Sequence, residues 1–206
     1  MTKLIKFFDY ERIYKVINSI INNEGADPSV CCVFFSAFGA RILSDHFGMN
    51  VQVKSGIAAY HLGNDENILL FGQPDEKGDL SAEHAFHCWV EVDGWAVDFM
   101  SPSFSLYERH GAKYPPKMFQ KPLDQMSESP LSLMNAGEFY LQSTPEYTQQ
   151  HMRILGSSQA YDDLASLCST WFEKHPKRMQ KDMTIANAAG EQTTTRLTGK
   201  PILSAW

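Results

Sequence analysis

The stretch HCWVEVDGWAVDFM, residues 87 to 100, constrains the fold more than any other part of this chain. Asp93-Gly94 between two runs of β-forming residues dictates a two-residue hairpin turn. The register follows from the turn: Val92 faces Trp95, Glu91 faces Ala96, Val90 faces Val97, Trp89 faces Asp98, Cys88 faces Phe99 and His87 faces Met100. One face then collects Cys88, Val90, Val92, Trp95, Val97 and Phe99, which reads as the core face. The other carries His87, Trp89, Glu91, Ala96, Asp98 and Met100. His87 and Asp98 become diagonal neighbours, with Cβ atoms roughly 7 Å apart or less, near enough for a carboxylate to orient an imidazole. A histidine–aspartate pair with a purely structural purpose is the competing account.

Around this hairpin the pattern is α+β. DYERIYKVINSIINNEG repeats Ile13, Val16, Ile17, Ile20 and Ile21 at helical spacing and ends at Gly25. A second helix is predicted from DPS, where Asp27 or Ser29 can cap and Pro28 fits a first turn, as far as Gly48. Short β runs follow, NVQVKSGIAAY, NILLFG, AFHCWVEV and WAVDFM, so that helices pack on an antiparallel meander. Residues 72–84 read as a polar surface loop able to lie over a site. Beyond Met100, prolines including Pro145 predict irregular structure. A third helix is expected in SSQAYDDLASLCSTWFEKHP, and the tail adds one or two strands. Residues 1–206 suit a single domain.

Charge and cysteine usage narrow the function classes. The formal net charge is −6, with both signs mixed along the chain, which argues against a nucleic-acid or membrane-surface partner. Asp9 and Glu11 interrupt the apolar residues near the start, and no run approaches a membrane span, so a cytoplasmic protein is expected. The four cysteines, at 31, 32, 88 and 168, are too few for a disulfide framework and are expected as free thiols. His84, His87 and Cys88 lack a second pair at metal-site spacing, so no metal is expected.

The adjacent cysteines supply the missing chemistry. A thiol at a helix start meets unpaired amides and the positive end of the helix dipole, which favour the thiolate. A cysteine, a histidine and an aspartate together make a nucleophile, a base and an orienting acid. Cys32 lies in line with Ser36, Gly39 and Leu43, a stripe small enough for a sheet to approach, whereas Cys31 lines up with Phe35, Phe38 and Ile42. The packing therefore favours Cys32 over Cys31. Trp89 is expected to wall the site, and Glu91 to touch substrate or solvent. Trp95 is assigned to the core, His84 to a loop, and His46 and His61 to the surface.

CVFFSAFGARILSDHFGMNVQVKSG followed by HCWVEVDGWAVDFMSP resembles the core of the transglutaminase-like branch of the papain-like superfamily, which also holds the arylamine N-acetyltransferases. Cys32 matches the nucleophile, Gly48 and Gly56 the two glycines, His87 to Val92 the histidine strand, Gly94-Trp95 the next pair and Asp98 the acid. The resemblance covers roughly residues 28 to 101, and the whole sequence is similar to an uncharacterised bacterial family placed in that superfamily. Gln52 stands at the family's arginine position, the interval from His87 to Asp98 is short, and Asp-Phe-Met-Ser-Pro replaces the common Asp-Pro-Thr.

The resemblance implies a papain/transglutaminase-like fold, with N-terminal helices on an antiparallel sheet or partial barrel. It also implies a cysteine hydrolase or acyltransferase acting through a thioester on a peptide, protein or small amide or acyl substrate. The oxyanion would be held by the Cys32 amide plus Asn22, Asn23 or Trp89. No cofactor is expected, since neither a phosphate-cradling loop nor an EF-hand-like run is present. The enzyme reading predicts a thiol of low pKa. A non-catalytic peptide- or protein-binding domain of the same fold predicts an inert one.

Overall fold

The computed structural model describes residues 3–63, 68–75, 79–107, 114–173, 180–186 and 189–206. Among the described residues, four helices, α1 (Phe7–Asn23), α2 (Cys32–Phe47), α3 (Pro145–Gly156) and α4 (Gln159–Glu173), accompany eleven strands. The main strands are β1 (Gln52–His61), β2 (Ile68–Phe71), β5 (His87–Val92), β6 (Trp95–Asp98), β7 (Lys117–Pro122) and β8 (Phe139–Ser143). The short ones are β3 (Gln73–Pro74), β4 (Leu80–Ser81), β9 (Asp182–Ala186), β10 (Gln192–Arg196) and β11 (Ser204–Ala205).

The seven-stranded sheet runs β11-β7-β6-β5-β1-β2, with β8 also paired to β1. It is open and antiparallel except for β11 on β7. The fold is thus α+β, with an antiparallel sheet rather than a closed barrel. Among the described residues no helix is long and apolar enough to cross a membrane.

The apolar stripe of α1 is buried as its spacing requires, with Ile13, Val16, Ile17, Ile20 and Ile21 all inside. The second helical segment is divided. Asp27 accepts from the Ser29 amide and caps a short 3-10 turn, Pro28–Val30, after which α2 proper begins at Cys32. It ends at Gly48, whose left-handed φ of 64° turns the following Met49 amide back to the Leu43 carbonyl. Two expectations fail beyond Met100. Pro145 starts α3 instead of breaking it, because at the first helical position its missing N–H costs no hydrogen bond. The tail supplies the β9–β10 hairpin and also β11.

The hairpin has Asp93 at φ 49° and Gly94 at φ 77°, the two positive values of a type I′ turn. Val92 pairs Trp95, Glu91 pairs Ala96 and Val90 pairs Val97, in the expected register. The ladder stops there, and His87 instead pairs Gly56 of β1. The expected division into core face and open face is also corrected. Trp89, Ala96, Asp98 and Met100 are as buried as Cys88 and Val90, since aromatic rings from β1, β7 and β8 cover the second face, while Trp95 is only half-buried.

Gly56 marks a junction in the sheet, pairing with His87 of β5 and with Ser143 of β8. A Cβ at this position would stand 2.0 Å from the Gln142 carbonyl oxygen, a backbone atom that cannot step aside. Gly56→Ala is therefore expected to destabilise the protein by about 3 kcal/mol or more. Urea unfolding would check this, and a loss under about 1 kcal/mol would mean that β8 moves freely.

Candidate active site

Three elements converge on one buried cluster. α2 presents Cys32 as its first residue, packed on β5, whose first residue is His87, and β6 ends at Asp98. His87 Nε2–H donates to Asp98 Oδ2 at 2.7 Å, with both side chains fully buried. This is the pair that the hairpin register predicts.

The carboxylate has further donors. Tyr60 O–H donates to the same Oδ2 at 2.9 Å, and the Met100 amide donates to Oδ1 at 2.9 Å. Tyr10 O–H fixes the Asp98 backbone carbonyl and sits 2.9 Å from Ser101 Oγ. Because Nε2 is committed to Asp98, Nδ1 is the nitrogen left for a nucleophile. It has no hydrogen-bond partner among the described residues. The Cys32 thiol interacts with the ring and with Cys88, but has not closed a properly aligned bond to Nδ1. Cys31 is buried beside Cys32 and precedes the helix, its pKa pushed up to about 11 by burial, Cys32 and Asp27. Of the two adjacent cysteines, the structure therefore brings Cys32 to the histidine.

The electrostatics correct one expectation. The Cys32 pKa is raised well above its ordinary value, by contact with the Cys88 thiol and then by burial, outweighing the lowering influence of His87. Burial opposes the His87 imidazolium, but the charge and hydrogen bond of Asp98, helped by Cys32, raise His87 to about 9. Both shifts run in the direction of a protonated imidazole beside a neutral thiol in the closed site. The helix-terminus effect favours a thiolate, but the Cys88 contact and burial run the other way and the net direction is upward.

An aromatic cover closes the cluster. Phe71 stacks on His87 with centroids 4.2 Å apart and planes at 21°. Tyr107 stands edge-on to Phe71 at 5.6 Å, and its hydroxyl donates to the Ser29 carbonyl, tying the segment after the 3-10 turn Ser101–Leu106 to the turn before α2. Phe104 and Tyr60 flank the ring at 5.8 Å each. The sequence reading missed Phe71, Phe104, Tyr107 and Tyr60. The only available signal was that NILLFG ends beside the loop expected to cover a site.

Other expected residues are engaged elsewhere. Trp89 is buried and donates through Nε1 to Glu91 Oε1 at 3.0 Å, while Glu91 lies 3.9 Å from Lys54 Nζ. The side-chain oxyanion candidates fail for this reason. Trp89 serves Glu91, Asn22 donates to the Asn18 carbonyl, and Asn23 donates to Glu24 and accepts from Thr195. His84 is exposed in a bend as expected. His61 is not a surface residue: it ends β1 and is 5% exposed, with Nδ1 accepting the Gly63 amide. His46 is half-buried against Phe172 and bonded to Ser169. His151 Nδ1 and Ser55 Oγ form a second nucleophile–base contact at 3.0 Å, but Ser55 is fully buried in β1 and no acid orients that imidazole among the described residues. Among those residues, no group of three or more His, Cys, Asp or Glu side chains could hold a metal ion.

Fold and site together define an α+β protein with a thiol, an imidazole and a carboxylate gathered at the junction of helix and sheet. The chain belongs to the family described as "Protein of unknown function (DUF2026)", whose model matches residues 6–206. It is similar to a solved structure described as "The crystal structure of genomics APC5867". The two share 40% identity over 100% of this chain and 98% of the other, with a TM-score of 0.89. No curated protein matches.

Proposed function

We propose that this chain is a cysteine-dependent hydrolase or acyltransferase of the transglutaminase-like branch of the papain-like superfamily, acting on an amide or acyl group of a peptide, protein or small molecule. One observation carries the reading. The His87–Asp98 bond of 2.7 Å is fully buried and leaves Nδ1 without a partner beside the thiol that opens α2. A structural histidine has no need of such an arrangement, since a buried polar nitrogen left unbonded costs stability.

In this scheme neutral His87 takes the Cys32 proton through Nδ1, and the thiolate adds to the substrate carbonyl. The tetrahedral oxyanion is held by the Cys32 N–H, which as the first helical amide has no partner within the helix. His87 then gives its proton to the leaving group as the carbon–leaving-group bond breaks, forming a thioester. Water or an amine attacks the thioester and gives up a proton to His87, the carbon–sulfur bond breaks to release the acid or new amide, and His87 returns the proton to the Cys32 thiolate. Trp89 and Glu91 are assigned to the wall that the substrate meets once the cover opens. The scheme needs no cofactor, and the free thiols fit a cytoplasmic enzyme.

The pH dependence of alkylation by iodoacetamide tests this reading. The imidazole becomes a base only as pH rises through about 9, so Cys32 labelling is expected to climb on the alkaline side of neutrality and not near pH 6. In His87→Ala the rise is expected to move to still higher pH, with labelling at pH 8 at least about tenfold slower. Equal rates in the two proteins would remove the base from the scheme.

A second reading has its own support in the closed cover and the raised thiol, which suit a peptide- or protein-binding domain that keeps the cluster for structure. Under that reading Cys32 labels only when the protein unfolds, with or without His87.

A further inference from the structure

We propose that Tyr60 is a fourth, positioning member of the site, whose hydroxyl competes with His87 for one oxygen of Asp98 and so sets how strongly the carboxylate holds the imidazolium. The role rests on the catalytic reading above, but the geometry behind it is independent of any substrate. Tyr60 O–H and His87 Nε2–H both reach Asp98 Oδ2, at 2.9 and 2.7 Å. Tyr60 is buried, and its ring stands edge-on to His87 with planes at 85°. Phe104 at 4.9 Å and Phe119 at 5.0 Å pack against the same ring, leaving the hydroxyl no route to water.

A tyrosine needed only to fill this space could be a phenylalanine, because the contacts just named belong to the ring. The hydroxyl has a narrower effect. Each proton donated to Oδ2 withdraws negative charge from the side that faces Nε2, so the imidazolium is held less tightly and gives up its proton at lower pH. The Met100 amide already satisfies Oδ1, so Tyr60 acts on the oxygen that His87 uses. Among the described residues, the other titratable groups acting on the cluster include Tyr10 from α1, Cys32 from α2, Cys88 from β5 and Tyr107 after the 3-10 turn. Of these, Tyr10 bonds the Asp98 backbone rather than its carboxylate.

The test is an NMR titration of His87, in protein labelled at histidine, for the wild type and Tyr60→Phe, run beside iodoacetamide labelling of Cys32. Removing the hydroxyl is expected to raise the His87 midpoint by about 0.5 to 1 pH unit and to shift the alkaline rise in Cys32 labelling by the same amount. An unchanged midpoint in a folded Tyr60→Phe protein would overturn the proposal, and labelling that still depends on His87 would leave the catalytic reading intact. If Cys32 proves unreactive even in the wild type, the catalytic reading fails, and with it the positioning role. The midpoint would then report only the carboxylate bond. Should Tyr60→Phe not fold, site-specific 3-fluorotyrosine at position 60 replaces it. Being a stronger donor, it is expected to lower the midpoint, and a rise or no change would equally overturn the proposal.

Discussion

Asp98→Ala is expected to lower the unfolding free energy at pH 7 by about 3–5 kcal/mol, the usual cost of removing one partner from a buried ion pair. The substitution leaves the His87 ring, the Tyr60 hydroxyl and the Met100 amide without their acceptor at once, in a site that water does not reach. Urea unfolding measures the loss, and a change under about 1 kcal/mol would show that the pair contributes little to folding. The pH dependence gives a second signature. His87 is raised from 6.5 to about 9 in the folded protein, so its contribution is fully present below about pH 6.5 and is lost as pH rises through about 9. Between these values the wild type should lose stability with a slope that Asp98→Ala lacks. Asp98→Asn keeps one acceptor oxygen, enough for the Met100 amide, and turns an NH2 group toward the Tyr60 oxygen and the His87 ring, so it is expected to lose less than Asp98→Ala.

Cys32→Ser is expected to reduce reaction with p-nitrophenyl acetate by about 10³-fold or more, because a serine hydroxyl is far harder to deprotonate than a thiol. Intact-mass spectrometry of the wild type should record one acetyl group, mapped to Cys32 and absent from Cys32→Ser. Cys31→Ser should retain the adduct, since Cys32 is the thiol that meets the His87 ring. An acetyl group found on Cys31, or none on either cysteine in the folded protein, would contradict the assignment of the nucleophile.

The hairpin and its histidine–aspartate pair were legible because turn chemistry acts locally. Asp93-Gly94 fixes the register, and the register fixes which side chains share a face. The same logic could not foresee that the second face is covered. Its covering comes from β7, β8 and the segment 101–107, brought in by tertiary packing. Tyr60 escaped notice because it lies 38 residues from Asp98 and looks like any core aromatic. The oxyanion candidates failed because Asn22 and Asn23 are spent at the end of α1. α3 was lost to a rule applied without its exception, since proline interrupts a helix interior but suits its first turn. The thiol's helix-end position was readable, but its basicity was not, because it depends on the Cys88 thiol, brought in from a strand 56 residues away, and on how completely neighbours exclude water.

The junction at Gly56 bears on the order in which the chain acquires its chemistry. His87 stands where β5 meets β1 beside the end of β8, and Asp98 lies on a strand held between β5 and β7. The thiol belongs to a helix whose hydrogen bonds are local, whereas base and acid take their places only when strands from distant parts of the chain lie side by side. During synthesis α2 leaves the ribosome well before the hairpin, so the nascent chain carries an ordinary thiol with no base to serve it. Reactivity under the proposed scheme is thus a property of the finished sheet, and a chain stalled partway through folding has none to misdirect.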